Sequence, residues 1–170
     1  MNNYQAFPQN NVIAASAKFG KNCKVGHYCV IEEDVIIGDH AIIENYVLLK
    51  KGTVIGDNCF IDSYVRSSGD NIIGNFVTIR FGATIARKVE LEDDVFISPN
   101  VMTIYKKHDG SESSKTLIKE GSFIGTAAVI GPNVTIEKEV VIGAQSYVSS
   151  NCLKRRGIYV GVPAVYLKGR

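Results

Sequence analysis

The chain has no CxxC pair among its four cysteines, only three histidines, no long apolar run and almost no net charge. Each absence removes a class of protein. Cysteines without paired spacing argue against a structural metal site or a disulfide framework, and point to free thiols in a reducing compartment. No apolar run approaches the roughly 18 residues that a membrane span requires. The opening "MNNYQAFPQNN" has no basic stretch leading into an apolar core, so it does not read as a secretory signal. A net charge of +2 with both signs interspersed gives no reason to expect nucleic acid. What remains is a cytoplasmic globular protein, a single domain over residues 1–170. Its composition is 45% apolar, enough for a real core.

The positive signal is a beat of six. Stepping by six from Ile13 gives Phe19, Val25, Ile31, Ile37, Ile43, Leu49, Ile55, Ile61, Ser67, Ile73, Ile79, Ile85, Leu91 and Ile97. A second run in a new phase gives Ile118, Ile124, Ile130, Ile136, Ile142 and Val148. Ser67 alone breaks it, whereas a composition of 45% apolar would fill fewer than half of these positions. Repeats of this kind decide a fold before any local propensity does.

An α-helix turns by about 600° in six residues, so these side chains would form no stripe on it. The residue two before each beat is small or β-branched, except at Asn11 and Asn71. Large at i and small at i−2 share one face of a strand. The residue after the beat is glycine at Gly20, Gly26, Gly38, Gly56, Gly74, Gly125, Gly131 and Gly143, which suits a corner where a Cβ would crowd the backbone. Short strand and corner in alternation, three hexads to a turn, predict an all-β chain. It is a parallel β-helix of about seven triangular coils, each about 4.8 Å from the next. Coils are expected over about 11–103 and 116–153, with a C-terminal cap over 154–170. Cys23, Cys29 and Cys59 fall at the small inward position and read as core filler. Where Ser67 and Asn71 replace inward residues, a small bulge is expected.

The same pattern resembles the hexapeptide-repeat acyltransferases, whose fold is a left-handed β-helix, usually trimeric. Within it, the chain is similar to the galactoside and maltose O-acetyltransferases and related sugar O- and N-acetyltransferases. Four pieces of text carry the likeness. They are the repeat itself, "SPNVMTIYKKH", "FIGTAAVIGPNVTIEKEVVIGAQSYV" and the closing Gly161-x-Pro163-Ala164.

Between Thr103 and Ile118 the beat is delayed by nine residues, which predicts a loop over about 104–117 extruded at a corner. Loops on rigid scaffolds are where function concentrates. This one holds His108, seven residues beyond the Val of Pro99-Asn100-Val101. The resemblance implies His108 as the general base that takes the acceptor's proton as it attacks an acetyl thioester. The loop then departs from the relatives, reading "HDGSE" where they have His-Pro. The resemblance also implies Thr126 as a backbone donor to the thioester oxygen and Ala144 as a backbone contact for the pantetheine arm. Gly161 and Lys168 would contact coenzyme A, with Lys154 and Arg155 in the basic tail as further phosphate ligands. Arg80 and Phe81 stand where those relatives have an Asn-Phe pair beside the acceptor, and Arg80 suits an anionic acceptor or an exposed corner.

The implied activity is an acetyl-CoA-dependent transfer to the hydroxyl or amine of a sugar or nucleotide-linked amino sugar. It needs no metal, and it belongs to a homotrimer that binds neither nucleic acid nor membrane. Two other readings compete with it. A non-catalytic β-helix module would share the repeat but not the loop or the tail. A zinc carbonic anhydrase of the same fold needs three converging histidines. His27 and His40 are two hexads and one residue apart, whereas positions stack on one another only at every third hexad.

Overall fold

A computed structural model describes residues 7–106 and 115–170, and it contains strands but no helix. Two-residue strands follow one another at each hexad, and each pairs in parallel with the strand three hexads on: Val12 with Val30, Lys18 with Ile36, Lys24 with Ile42. Three faces result. The first runs from Val12–Ile13 to Tyr147–Val148 in eight strands, and the second from Lys18–Phe19 to Thr135–Ile136 in seven. The third runs from Lys24–Val25 to Val141–Ile142 and is extended by Gly157–Val160 and Val165–Gly169. This is the parallel β-helix anticipated from the repeat, of the left-handed kind that the family resemblance implies. Among the described residues no helix is long and apolar enough to cross a membrane.

The beat residues form the core. Ile31, Ile37, Ile43, Leu49, Ile55, Ile61, Ile79, Ile85, Leu91 and Ile97 are all buried, each stacked on its copy one coil away. Like on like fills a narrow prism without voids, and each such side chain contributes roughly 2 kcal/mol by leaving water. The inward small positions hold Cys23, Cys29 and Cys59, whose thiols donate to the next coil's carbonyls of Gly38, Glu44 and Gly74 at 3.0–3.1 Å. Burial pushes Cys59 and Cys152 up to about 11, which leaves both as protonated filler at neutral pH.

The prism is longer than about seven coils, because the tail adds an eighth. Cys152 bridges to Ile136 on the second face, and Ile158 and Tyr159 pair with Val141 and Ile142 on the third. Tyr159 takes the isoleucine's place at the top of its stack, and its hydroxyl accepts the N–H of Lys154 at 3.0 Å. Val165–Gly169 then returns antiparallel along Gly157–Val160.

No bulge forms at Ser67 and Asn71. Ser67 pairs in register with Leu49 and Ile85, and Ile73 with Ile55 and Leu91. The polar atoms satisfy one another inside the prism instead. Thr53 and Ser67 hydroxyls lie 2.6 Å apart, Ser67 donates to Asn71 Oδ1, and Asn71 Nδ2 donates to the Ala86 carbonyl. A buried polar group left unpaired costs about 1–3 kcal/mol, and this closed network avoids that without moving the backbone.

The nine-residue delay appears as a change of register. Below it each strand pairs with the one three hexads on, but Met102 pairs with Val129 and Val89 with Thr116, so that this coil is longer by the insertion. The insertion falls at the corner between the first and second faces: Ile104 N–H still bonds Ile130, and the ladder resumes at Thr116. His108 itself lies outside the described residues.

Candidate active site

The corner joining the third face to the first positions most of the remaining candidates. Ile79, Ile97, Ile124 and Ile142 are stacked in register, so the residues two places on also form a column: Phe81, Pro99, Thr126, Ala144. Three candidates well separated in sequence (Phe81, Thr126 and Ala144) are thereby brought onto one edge, where successive members of the column are about 4.8 Å apart.

Thr126 and Ala144 are exposed, and neither N–H has a hydrogen-bond partner among the described residues. Lower on the same corner the corresponding donors are occupied at His27 and Ser63 and, among the described residues, open at Asn45 and Phe81. His27 N–H bonds Asn45 Oδ1 at 2.8 Å, and Ser63 N–H bonds Asp62 Oδ1 at 2.7 Å. Gly125 permits this edge to be so tight, since a Cβ there would sit 2.6 Å from the nitrogen of Ala144. Two outward-facing amide donors on a rigid edge can bind a carbonyl oxygen or an amide chain.

Arg80 is neither a free cation nor a plain corner residue. Its Nε lies 3.3 Å from Asp62 Oδ2, one coil below, and its guanidinium lies 5.6 Å from the centre of the Phe60 ring. Asp62 was missed in the sequence, because its relation to Arg80 is visible only at a separation of three hexads. Phe81 is half exposed, with Tyr64 edge-on at 5.4 Å.

The tail divides its basic residues. Arg155 and Arg156 fold back to Glu139 at 3.4 and 3.5 Å, and Lys154 lies 3.7 Å over the Tyr166 ring. Lys168 stands on the returning strand opposite Ile158, exposed and without an ion pair among the described residues. Gly161, at φ +102°, donates to Ser146 Oγ and accepts from Tyr147 N–H, and Ala164 N–H bonds the Tyr147 carbonyl. The closing motif thus fastens the tail to the top of the first face, one step from Ala144.

Residues 7–117 match the GMPPB C-terminal domain family. The chain belongs to that family. Residues 115–150 match the bacterial transferase hexapeptide (six repeats), so the repeat after the insertion is of the hexapeptide-transferase type. Among solved structures it is similar to the UDP-N-acetylglucosamine acyltransferase of Campylobacter jejuni, with a TM-score of 0.70 and 19% identity over 95% of this chain and 74% of that one. It is also similar to the D94N mutant of AntD, an N-acyltransferase from Bacillus cereus in complex with dTDP and coenzyme A. There the TM-score is 0.56, with 23% identity over 90% and 84% of the two chains. A serine acetyltransferase in complex with cysteine has a TM-score of 0.56 and 27% identity over 62% of this chain and 41% of that one. These likenesses are to acyltransferases of one architecture.

Proposed function

We propose that the protein is a cytoplasmic acyltransferase that moves an acetyl group from coenzyme A to a hydroxyl or amine of a sugar or nucleotide-linked amino sugar. The observation that carries the reading is the corner column, where Thr126 and Ala144 offer unengaged N–H groups two and three coils above Phe81, on the corner that also holds Arg80 and Asp62. In this reading the thioester lies along the upper column, with its carbonyl oxygen at Thr126 and its pantetheine arm at Ala144. The acceptor sits at Arg80 and Phe81. Its oxygen or nitrogen attacks the carbonyl carbon, the C–S bond breaks, and coenzyme A leaves as the thiol. His108 takes the acceptor's proton and returns it to the departing sulfur. That AntD was solved with dTDP and coenzyme A together supports the choice of donor and of a nucleotide-linked acceptor.

The described ends of the segment that carries His108, Ile104 and Thr116, and the donor column stand at different corners of the prism, with the first face between them. A neighbouring copy brings one chain's loop to another's column, and closed cyclic symmetry is the usual way to do so. A homotrimer of about 55 kDa is therefore expected, three times 18.5 kDa. Acetyl-CoA offered with a panel of sugars and nucleotide sugars, with thiol release followed by a dye, tests the reading. Acceptor-dependent release from a species of the trimer mass supports it. A protein that binds no coenzyme A is instead a β-helix module, a reading favoured by the family's description as a C-terminal domain.

Lys168 and Arg170 are the tail cations without an ion pair or ring contact among the described residues, and Lys168 is the one proposed for the coenzyme A phosphates. Lys168→Ala should raise the KM for acetyl-CoA several-fold and leave the acceptor KM unchanged, because a remote phosphate contact contributes equally to ground and transition states. Equal KM values for variant and wild type, with acetyl-CoA and with its 3′-dephospho form, would remove Lys168 from the donor site.

A further inference from the structure

Tyr28, Tyr46 and Tyr64 hold bulky aromatic side chains in the left-handed backbone region, at φ 58°, 59° and 63°. Many corners of the prism have one residue in this conformation. Elsewhere it is often the type that tolerates it, as at Asn22, Asp34, Gly52, Asn58, Gly82 and Asn100. The three tyrosines recur once per coil, on the same corner as the donor column, one residue beyond it. Their rings stack face to face at 5.2 and 4.9 Å, with interplanar angles of 9° and 14°. Phe81 ends the stack, its ring turned by 63° against Tyr64. The result is an aromatic rib running along four coils and stopping beside Arg80 and Asp62.

Stacking alone does not account for the rib. Phenylalanine would stack as well, yet all three rings carry hydroxyls, and none of those hydroxyls is hydrogen-bonded among the described residues. The rings are about half exposed, at 55, 47 and 44%. What the edge offers outward is a row of phenol groups, each apolar at its edge and polar at its tip, repeated at the rise of one coil. Beside them run Glu44, Asn45, Asp62 and Ser63, a mix of carboxylate, amide and hydroxyl.

We propose that this rib is the track for an extended β-linked sugar chain, whose end is thereby delivered to the acetyl-transfer site. A sugar chain fits on three counts. Each ring presents C–H groups and hydroxyls together, matching a phenol's edge and tip. An extended β-1,4 chain advances by about one coil step per ring. A ligand lying along this corner also enters the Arg80–Phe81 position and meets Thr126 one coil beyond Pro99. A second protein copy fits less well on a convex edge. The flat faces also carry exposed apolar side chains that a second copy could cover, such as Val12, Ile36, Ile72, Met102 and Phe123. The inference rests on the reading of the protein as a sugar acetyltransferase, and it makes the acceptor an oligosaccharide or polysaccharide rather than a lone sugar.

Asparagine suits the left-handed backbone, so Tyr28→Asn, Tyr46→Asn and Tyr64→Asn should preserve the fold, as an unchanged melting temperature would show. Binding of β-1,4-linked N-acetylglucosamine oligomers of one to four rings is then measured by calorimetry, which needs no turnover. Affinity should rise with ring number, and Tyr46→Asn should weaken the four-ring oligomer about tenfold while leaving the single sugar unchanged. Tyr46→Phe, which keeps the stack and loses one hydroxyl, should fall between. Equal affinity for one ring and four, or an asparagine variant that binds like wild type, overturns the track. A variant that falls from the trimer mass to that of a monomer also overturns it, because the rib would then be a subunit contact. If oligomers bind along the rib but no sugar is acetylated, the track stands and the transferase reading fails.

Discussion

Gly56→Ala should lower the stability of the protein by about 3 kcal/mol, the upper range for forcing extra volume into a packed site. A Cβ on Gly56 would lie 2.6 Å from Asn75 Oδ1 and 2.7 Å from both the carbonyl carbon and the oxygen of Gly74. The amide side chain could turn away, but Gly74 is backbone in the next coil, held by the N–H of Gly56 itself through Ile73 and by its own bond to Leu91. Nothing there yields without opening the coil spacing. Gly56 is not in the left-handed region, so its cost is contact alone. Gly52 is the comparison. At φ +72° alanine is strained by about 1–2 kcal/mol, yet its Cβ would press only on the movable carboxylate of Asp70. Urea unfolding should therefore rank Gly56→Ala as the more damaging change. The opposite order would mean that the corners are limited by backbone conformation rather than by coil spacing.

That contrast shows what could be read from the sequence and what could not. Glycine after the beat pointed correctly to crowding, because a repeated residue type at a fixed step reports a repeated environment. The same logic placed Cys29 and Cys59 inside the core and located the insertion after Thr103. It failed where a partner lies a coil away and the pair has no repeated text. Asp62 under Arg80 is one case, and Glu139 drawing in Arg155 and Arg156 is another. A step of one hexad scrambles the three corners, whereas a step of three hexads follows one. Read at that longer step, Tyr28, Tyr46 and Tyr64 would have stood out at once. The Ser67–Asn71 network was hidden for a different reason. Sequence shows that polar atoms enter the core but not that they face each other there, so a bulge was the natural expectation. The eighth coil was missed because Cys152 and Tyr159 replace the aliphatic beat residues with side chains of different shape.

His108→Ala should fold, assemble and bind coenzyme A as the wild type does, while kcat falls by roughly 10²- to 10⁴-fold, the usual loss of a general base. The residue belongs to the text inserted between Thr103 and Ile118, which interrupts the run of core-forming beat residues, and substitutions away from a core typically stay within about 0.5 kcal/mol. In the proposed reaction the column at Thr126 and Ala144 would act on the thioester through backbone N–H groups, which the substitution leaves in place. If the imidazole acts only on the acceptor's proton, as proposed, the loss should appear in kcat and in kcat/KM for the acceptor, with the KM for acetyl-CoA unmoved. The wild-type rate should also show an acid limb that the variant lacks, because only a neutral imidazole can take a proton. The size of the loss distinguishes acceptors. A hydroxyl must surrender its proton as it attacks and should show the full effect. An amine is already nucleophilic and loses its proton after the bond has formed, so it should show the smaller one. Full activity with an unchanged pH profile would exclude His108 as the base. The donor column would then need its proton acceptor from elsewhere on the corner, where Asp62, paired with Arg80, is the nearest carboxylate to the proposed acceptor position.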